Sequence, residues 1–72
     1  MLPLYSRVRL VSDRFEKEGA RSGMQGYVIE DYEDGNYEVE FSDPATGATL
    51  AQLVLREEDV VPDPENIKPQ ST

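Results

Sequence analysis

Apolar and polar residues alternate with a period of two along much of this chain. That spacing marks half-buried strands, whose successive side chains point to opposite faces. In "YSRVRLVS" (5–12), Val8 and Leu10 fall on one face and Arg7, Arg9 and Val11 on the other. "MQGYVIEDYE" (24–33) predicts a second strand, with Gly26 placed for a bend or a close backbone approach. "NYEVEFS" (36–42) is the clearest strand, with Tyr37, Val39 and Phe41 facing in and Glu38 and Glu40 facing out. "TLAQLVL" (49–55) carries apolar residues on both faces and reads as a central or buried strand.

The connections are equally patterned. "DRFEKEGARSG" (13–23) is a long polar loop with room for one helical turn, and Phe15 is the large apolar residue that can pin it to the core. Asp34-Gly35 predicts a tight turn. Two registers are open to that hairpin. A two-residue turn pairs Val28 with Phe41 and Asp31 with Glu38, whereas a turn with a glycine bulge pairs Ile29 with Val39 and Glu30 with Glu38. "DPATGA" (43–48) is a second turn, in which Gly47 is available for a left-handed position. "REEDVVP" (56–62) reads as a 3₁₀-like turn with capping carboxylates, followed by a short last strand at Val60-Val61 that Pro62 stops.

Five short strands with tight turns predict an all-β fold, a small SH3-like five-stranded β-barrel over residues 1–62. Closing the sheet lets all strands share one core and limits exposed edges. The expected core is Val8, Leu10, Val28, Ile29, Tyr37, Val39, Phe41, Leu53, Leu55 and Val60. "DPENIKPQST" (63–72), with two prolines and one apolar residue, is expected to be a disordered tail.

Composition removes several kinds of chemistry. The chain has 72 residues and neither cysteine nor histidine. Disulfides, thiolate metal sites and Ser-His or Cys-His catalysis are therefore unavailable. No apolar run approaches the roughly 20 residues that span a bilayer. The opening "MLPLYSRVRL" is unlike a signal peptide, so a cytoplasmic protein is expected. The net charge is -8, which opposes binding to nucleic acid or to anionic membrane surfaces. That charge is uneven. Residues 22–55 hold seven acidic side chains and no basic one, and six of the seven lie within residues 30–40.

The order "SRVRLVSD", a polar loop, "GMQGYVIEDYEDGNYEVEF", a turn and "LVLREEDVVP" resembles a bacterial SH3-like family of unknown function, over roughly residues 5–62. Gly26-x-Val28, Asp34-Gly35, the strand from Tyr37 to Phe41 and the segment from Leu55 to Val60 carry the likeness. The resemblance implies an SH3-like barrel without a defined active site and, through neighbouring toxin-like proteins, an antitoxin or immunity role. The pattern is also similar to the ribosomal-type KOW barrel and the photosystem I accessory barrel. Those use basic faces, and the acidity here departs from them.

Glu30, Asp31, Glu33, Glu38 and Glu40 are the candidate binding residues, with Tyr27 and Tyr32 as anchors. A one-signed surface steers a basic partner and enforces partner choice. The bland alternative is a solvated face that blunts a strand edge. "DYEDGNYEVE" lacks the spacing of a calcium loop, and a barrel this small has no room for a two-carboxylate hydrolytic cleft. No catalytic residue, metal or cofactor is therefore expected. The expected function is a non-enzymatic protein-binding module that neutralises a basic protein, toxin-like or an enzyme subunit. The alternative is a structural accessory barrel that docks on an enzyme or redox assembly. Oligomeric state is left open.

Overall fold

A computed structural model of the chain describes residues 1–63. Five strands follow the sequence pattern: β1 (Arg7–Leu10), β2 (Gln25–Asp31), β3 (Asn36–Ser42), β4 (Thr49–Arg56) and β5 (Val60–Pro62). They form one antiparallel sheet in the order β4-β3-β2-β1-β5. The all-β prediction holds, and the expected closed barrel does not. Strands β4 and β5 are the two ends of the sheet and are not paired with each other. They are joined instead by a 3₁₀ turn, Glu57–Asp59. Such a short link carries the chain round the sheet without laying the two strands side by side.

This placement corrects the reading of β4 as central. It pairs on one side only, with β3, and its apolar residues on the second face, Leu50 and Val54, are exposed. The inward face comes out as the alternation requires. Tyr37, Val39 and Phe41 of β3 are buried with Val8, Leu10, Val28, Leu55 and Val60. Leu53 is partly buried against them. Ile29, expected in the core, is only half-buried, because the β2–β3 register shifts between Val28 and Glu30. A bulge places two residues of one strand opposite one of the other and turns the extra side chain off the regular face.

The core also takes residues from outside the strands. Phe15 and Ala20 of the 13–23 loop are buried, so Phe15 pins the loop as its sequence suggests. A 3₁₀ turn, Glu16–Glu18, shapes that loop. Leu2 is buried as well, and its backbone N–H donates to the Tyr37 hydroxyl at 3.3 Å. Gly26 packs directly against β3. A Cβ there would stand 2.8 Å from the Glu40 carbonyl oxygen, from Phe41 Cδ1 and from Val39 Cγ1. Only glycine leaves that space, as the close approach predicted for it requires.

Asp59 is the one buried charged residue among those described. Arg14 grips it side-on, Nε to Oδ1 at 3.0 Å and a terminal guanidinium nitrogen to Oδ2 at 2.8 Å. The Arg56 N–H also donates to Oδ2, at 2.9 Å. This capping contact is the one expected of "REED" (56–59). The Arg14 hydrogen bonds hold the Asp59 carboxyl below its ordinary pKa, against the opposing effect of burial. They also tie the 13–23 loop to the β4–β5 junction. Asp63, the first residue of the expected tail, is anchored too: its N–H donates to the Arg7 carbonyl at 3.0 Å. The remainder of that expected tail, 64–72, lies outside the described residues.

Candidate functional site

The tip of the β2–β3 hairpin decides which carboxylates share a face. Its loop is wider than the two-residue turn. The Tyr32 N–H donates to the Asn36 carbonyl at 3.1 Å, and both Glu33 and Gly35 have positive φ, 63° and 94°. Aspartate side chains brace it, Asp31 Oδ1 accepting from the Glu33 N–H at 2.8 Å and Asp34 Oδ1 from the Asn36 N–H at 3.0 Å. Next to the turn the register is that of the glycine-bulge alternative, and past Ile29 it matches neither of the two that were open. Glu30 pairs with Glu38, and beyond the bulge at Ile29 Val28 pairs with Val39.

Directly opposed residues of an antiparallel pair project on the same side. Two rows therefore cross the outer face of the sheet. One runs Glu30, Glu38, Val54 and the other Arg7, Tyr27, Glu40, Gln52. Five of the seven candidate residues meet here: Glu30, Glu38, Glu40, Tyr27 and Tyr32. Tyr27 and Tyr32 are exposed, and Tyr32 joins the group by donating its hydroxyl proton to Glu38.

Asp31 and Glu33 do not belong to this group, which corrects the single acidic surface read from the sequence. Asp31 pairs with Tyr37, an inward residue. With Glu33, Gly35, Glu57 and Met1, it lines a separate cleft beside the hairpin tip. The terminal ammonium of Met1 lies 2.6 Å from Glu57 in that cleft. Among the described residues no group of three or more acidic side chains converges as metal ligands would.

Two carboxylates of the outer face, Glu38 and Glu40, are held by neutral donors. Gln52 Nε2 donates to Glu38 at 2.6 Å, and the Thr49 hydroxyl donates to Glu40. The Glu38 carboxyl is lowered below its ordinary pKa, first by the Gln52 hydrogen bond and then by that of Tyr32. The same contact raises the Tyr32 hydroxyl. A neutral donor stabilises the charged form without cancelling the charge. The arginines of this face are engaged elsewhere, Arg56, opposite Asn36, lying 3.7 Å from Glu58. Arg9 is 2.9 Å from Asp63 Oδ2, and Arg7 Nε donates to the Asp63 carbonyl at 2.9 Å. Among the described residues Glu30, Glu38 and Glu40 take part in no ion pair.

Gln52, Thr49 and Val54 are the members of this face that sequence reasoning missed. Their signal was the alternation of β4, which puts Gln52 and Val54 on the face opposite to Leu53 and Leu55. A second concavity, of about 380 Å³, lies toward the other end of the sheet between Arg9, Gly23, Met24, Gln25, Pro44 and Leu50.

A family model for a domain of unknown function, DUF4926, matches residues 4–62. The chain belongs to the DUF4926 family. The match spans all five strands and both 3₁₀ turns of the DUF4926 fold described above, and it includes the five residues of the outer acidic face. Neither a curated protein nor a solved structure matches the chain. Among the described residues no helix is long and apolar enough to cross a membrane.

Proposed function

We propose that this DUF4926 protein is a non-enzymatic, cytoplasmic protein-binding module whose outer sheet face receives a basic protein. The observation that carries the reading is the set Glu30, Glu38 and Glu40 on one face, in no ion pair among the described residues, with Glu38 and Glu40 oriented by neutral donors, beside the exposed ring of Tyr27. Charges fixed in this way speed association and select partners of opposite sign. Tyr27 and Tyr32 supply amphipathic contact area next to the charge. The concrete form we favour is neutralisation of a cationic toxin, as the SH3-like resemblance implies.

The test is capture of partners at low and high salt, followed by association kinetics of the Glu38→Lys, Glu40→Lys double variant. The expected result is a slower on-rate with a weaker salt dependence. An unchanged on-rate overturns the reading. A second reading rests on the apolar walls of the other concavity, Met24, Pro44 and Leu50. There the protein docks on and stabilises an enzyme or redox assembly, and its binding is insensitive to salt.

A further inference from the structure

Backbone polarity alternates along an antiparallel strand just as side chains do, each residue turning its N–H and C=O to one neighbour or the other. The Tyr32 N–H bond to the Asn36 carbonyl sets that alternation. Asn36, Glu38 and Glu40 turn their backbone groups to β2, so Tyr37, Val39 and Phe41 turn theirs to β4. Their partners Leu55, Leu53 and Ala51 answer them. Gln52 and Val54 consequently present N–H and C=O to the open edge of β4.

That edge is closed at both ends. The Leu50 carbonyl faces Gly19 of the 13–23 loop, 3.5 Å from where a Cβ would stand. The Arg56 N–H is taken by Asp59. Between them, on the side away from β3, Gln52 and Val54 face no strand among the described residues. Of the devices that usually protect an edge, charge, proline or brevity, β4 carries only the charge of Arg56 at its last residue. Residues 44–55 carry no ionisable side chain, and β4 is the longest strand at eight residues. By contrast β5, the opposite edge, has three residues and ends in Pro62.

One strand inward from this neutral edge stand Glu38 and Glu40, opposite Val54 and Gln52 respectively. We propose that the β4 edge takes up an extended basic segment of the partner as a sixth, antiparallel strand. Its residues opposite Gln52 and Val54 are two apart and project on the outer face, so a Lys/Arg-x-Lys/Arg pattern aims two cations toward Glu40 and Glu38. The added backbone lies about 9–10 Å from β3, two strand spacings. A lysine or arginine stem lying over Val54 spans much of that distance and leaves its charged head beside a carboxylate. Main-chain bonds then supply affinity and alternate side chains supply specificity. This inference rests on the proposed acidic-face function and specifies the form in which the partner presents its charge.

The probe is a short blocked peptide with lysine at alternate positions, titrated into the full chain. The control carries the same sequence with the lysine amides N-methylated, which keeps the charge and removes the edge-directed donors. Peptide binding is expected to slow hydrogen exchange at the Gln52 and Val54 amides and leave Leu53 and Leu55 unchanged. N-methylation is expected to weaken binding by about tenfold or more. Equal affinity for both peptides, with loss of binding in the Glu38→Lys, Glu40→Lys variant, overturns the edge inference and leaves the acidic face standing. Equal affinity without that loss overturns both. Protection of Gln52 and Val54 that rises with protein concentration in the absence of peptide assigns the edge to a second copy and also overturns the inference.

Discussion

Glu30 stands directly across the sheet from Glu38, in a hydrogen-bonded stretch of β2 and β3 that sets like charge against like. Opposed carboxylates destabilise a hairpin. The structure offsets this through Gln52 and Tyr32, which donate to Glu38, and leaves Glu30 exposed. Fold stability alone gives no reason to retain the pair.

Glu30→Gln should therefore stabilise the domain. The expected gain in melting temperature is about 1–3 °C at low salt, shrinking as salt screens the repulsion. The same variant should slow association with a basic partner. Thermal melts at two ionic strengths check the first effect and stopped-flow mixing the second.

Tyr32→Phe removes a hydroxyl donor from Glu38 and little else, since the ring is exposed. The Glu38 carboxyl should move up toward its ordinary value while remaining below it, because Gln52, the larger contributor, still donates. An NMR titration of the Glu38 side chain reads the change directly. An unmoved titration would mean that the hydroxyl does not bond to Glu38 in solution.

Gly26→Ala should cost about 2–3 kcal/mol, the upper part of the range for forcing an extra carbon into a packed site. The added methyl meets the Glu40 carbonyl and the side chains of Val39 and Phe41 at 2.8 Å, and a backbone oxygen in a paired strand has little room to retreat. Urea unfolding checks the magnitude. Because the clash separates β2 from β3, exchange protection should fall first in that hairpin.

Asp59 links pH to stability. Its folded carboxyl is more acidic than its unfolded one, whose ordinary value is 3.8. The folded state therefore releases this proton more readily. The stabilisation is complete well above pH 3.8 and is lost as pH falls through that value toward the lower folded one. Asp59→Asn should destabilise the domain at neutral pH by about 1–2 kcal/mol and flatten that part of the acid limb. Denaturant midpoints of both proteins between neutral and strongly acidic pH test it, and parallel curves would exclude the Arg14–Asp59 pair as the cause.

Strand positions, the loop anchor Phe15, the close approach at Gly26 and the capping role of Asp59 were legible because each follows from neighbours in sequence. Alternation reports which side chains share a face of one strand, and glycine and aspartate report local backbone needs. The seven candidate site residues were legible by charge and only partly by place. The bulge at Ile29 breaks the alternation between Val28 and Glu30. Asp31 turns inward beside Tyr37, and no local feature of "YVIEDY" (27–32) announces it. Leu2 escaped notice because a single leucine ahead of Pro3 has no periodicity to reveal it.

Strand order was outside the reach of sequence. The apolar residues on both faces of "TLAQLVL" (49–55) are equally consistent with burial on two sides and with an edge exposed on one, because periodicity does not record neighbours. Sequence by itself determined five strands, an all-β class, an inward row of Val, Tyr, Phe and Leu, and an acid-rich hairpin without a basic residue. Tertiary structure decided that β4 is an edge, that the sheet stays open between β4 and β5, and that Arg7 and Arg9 turn to Asp63 rather than to Glu30 and Glu40. The reason is physical: side-chain direction is set by adjacent residues, whereas partners across strands depend on register, bulges and chain reversals, which act at a distance along the chain.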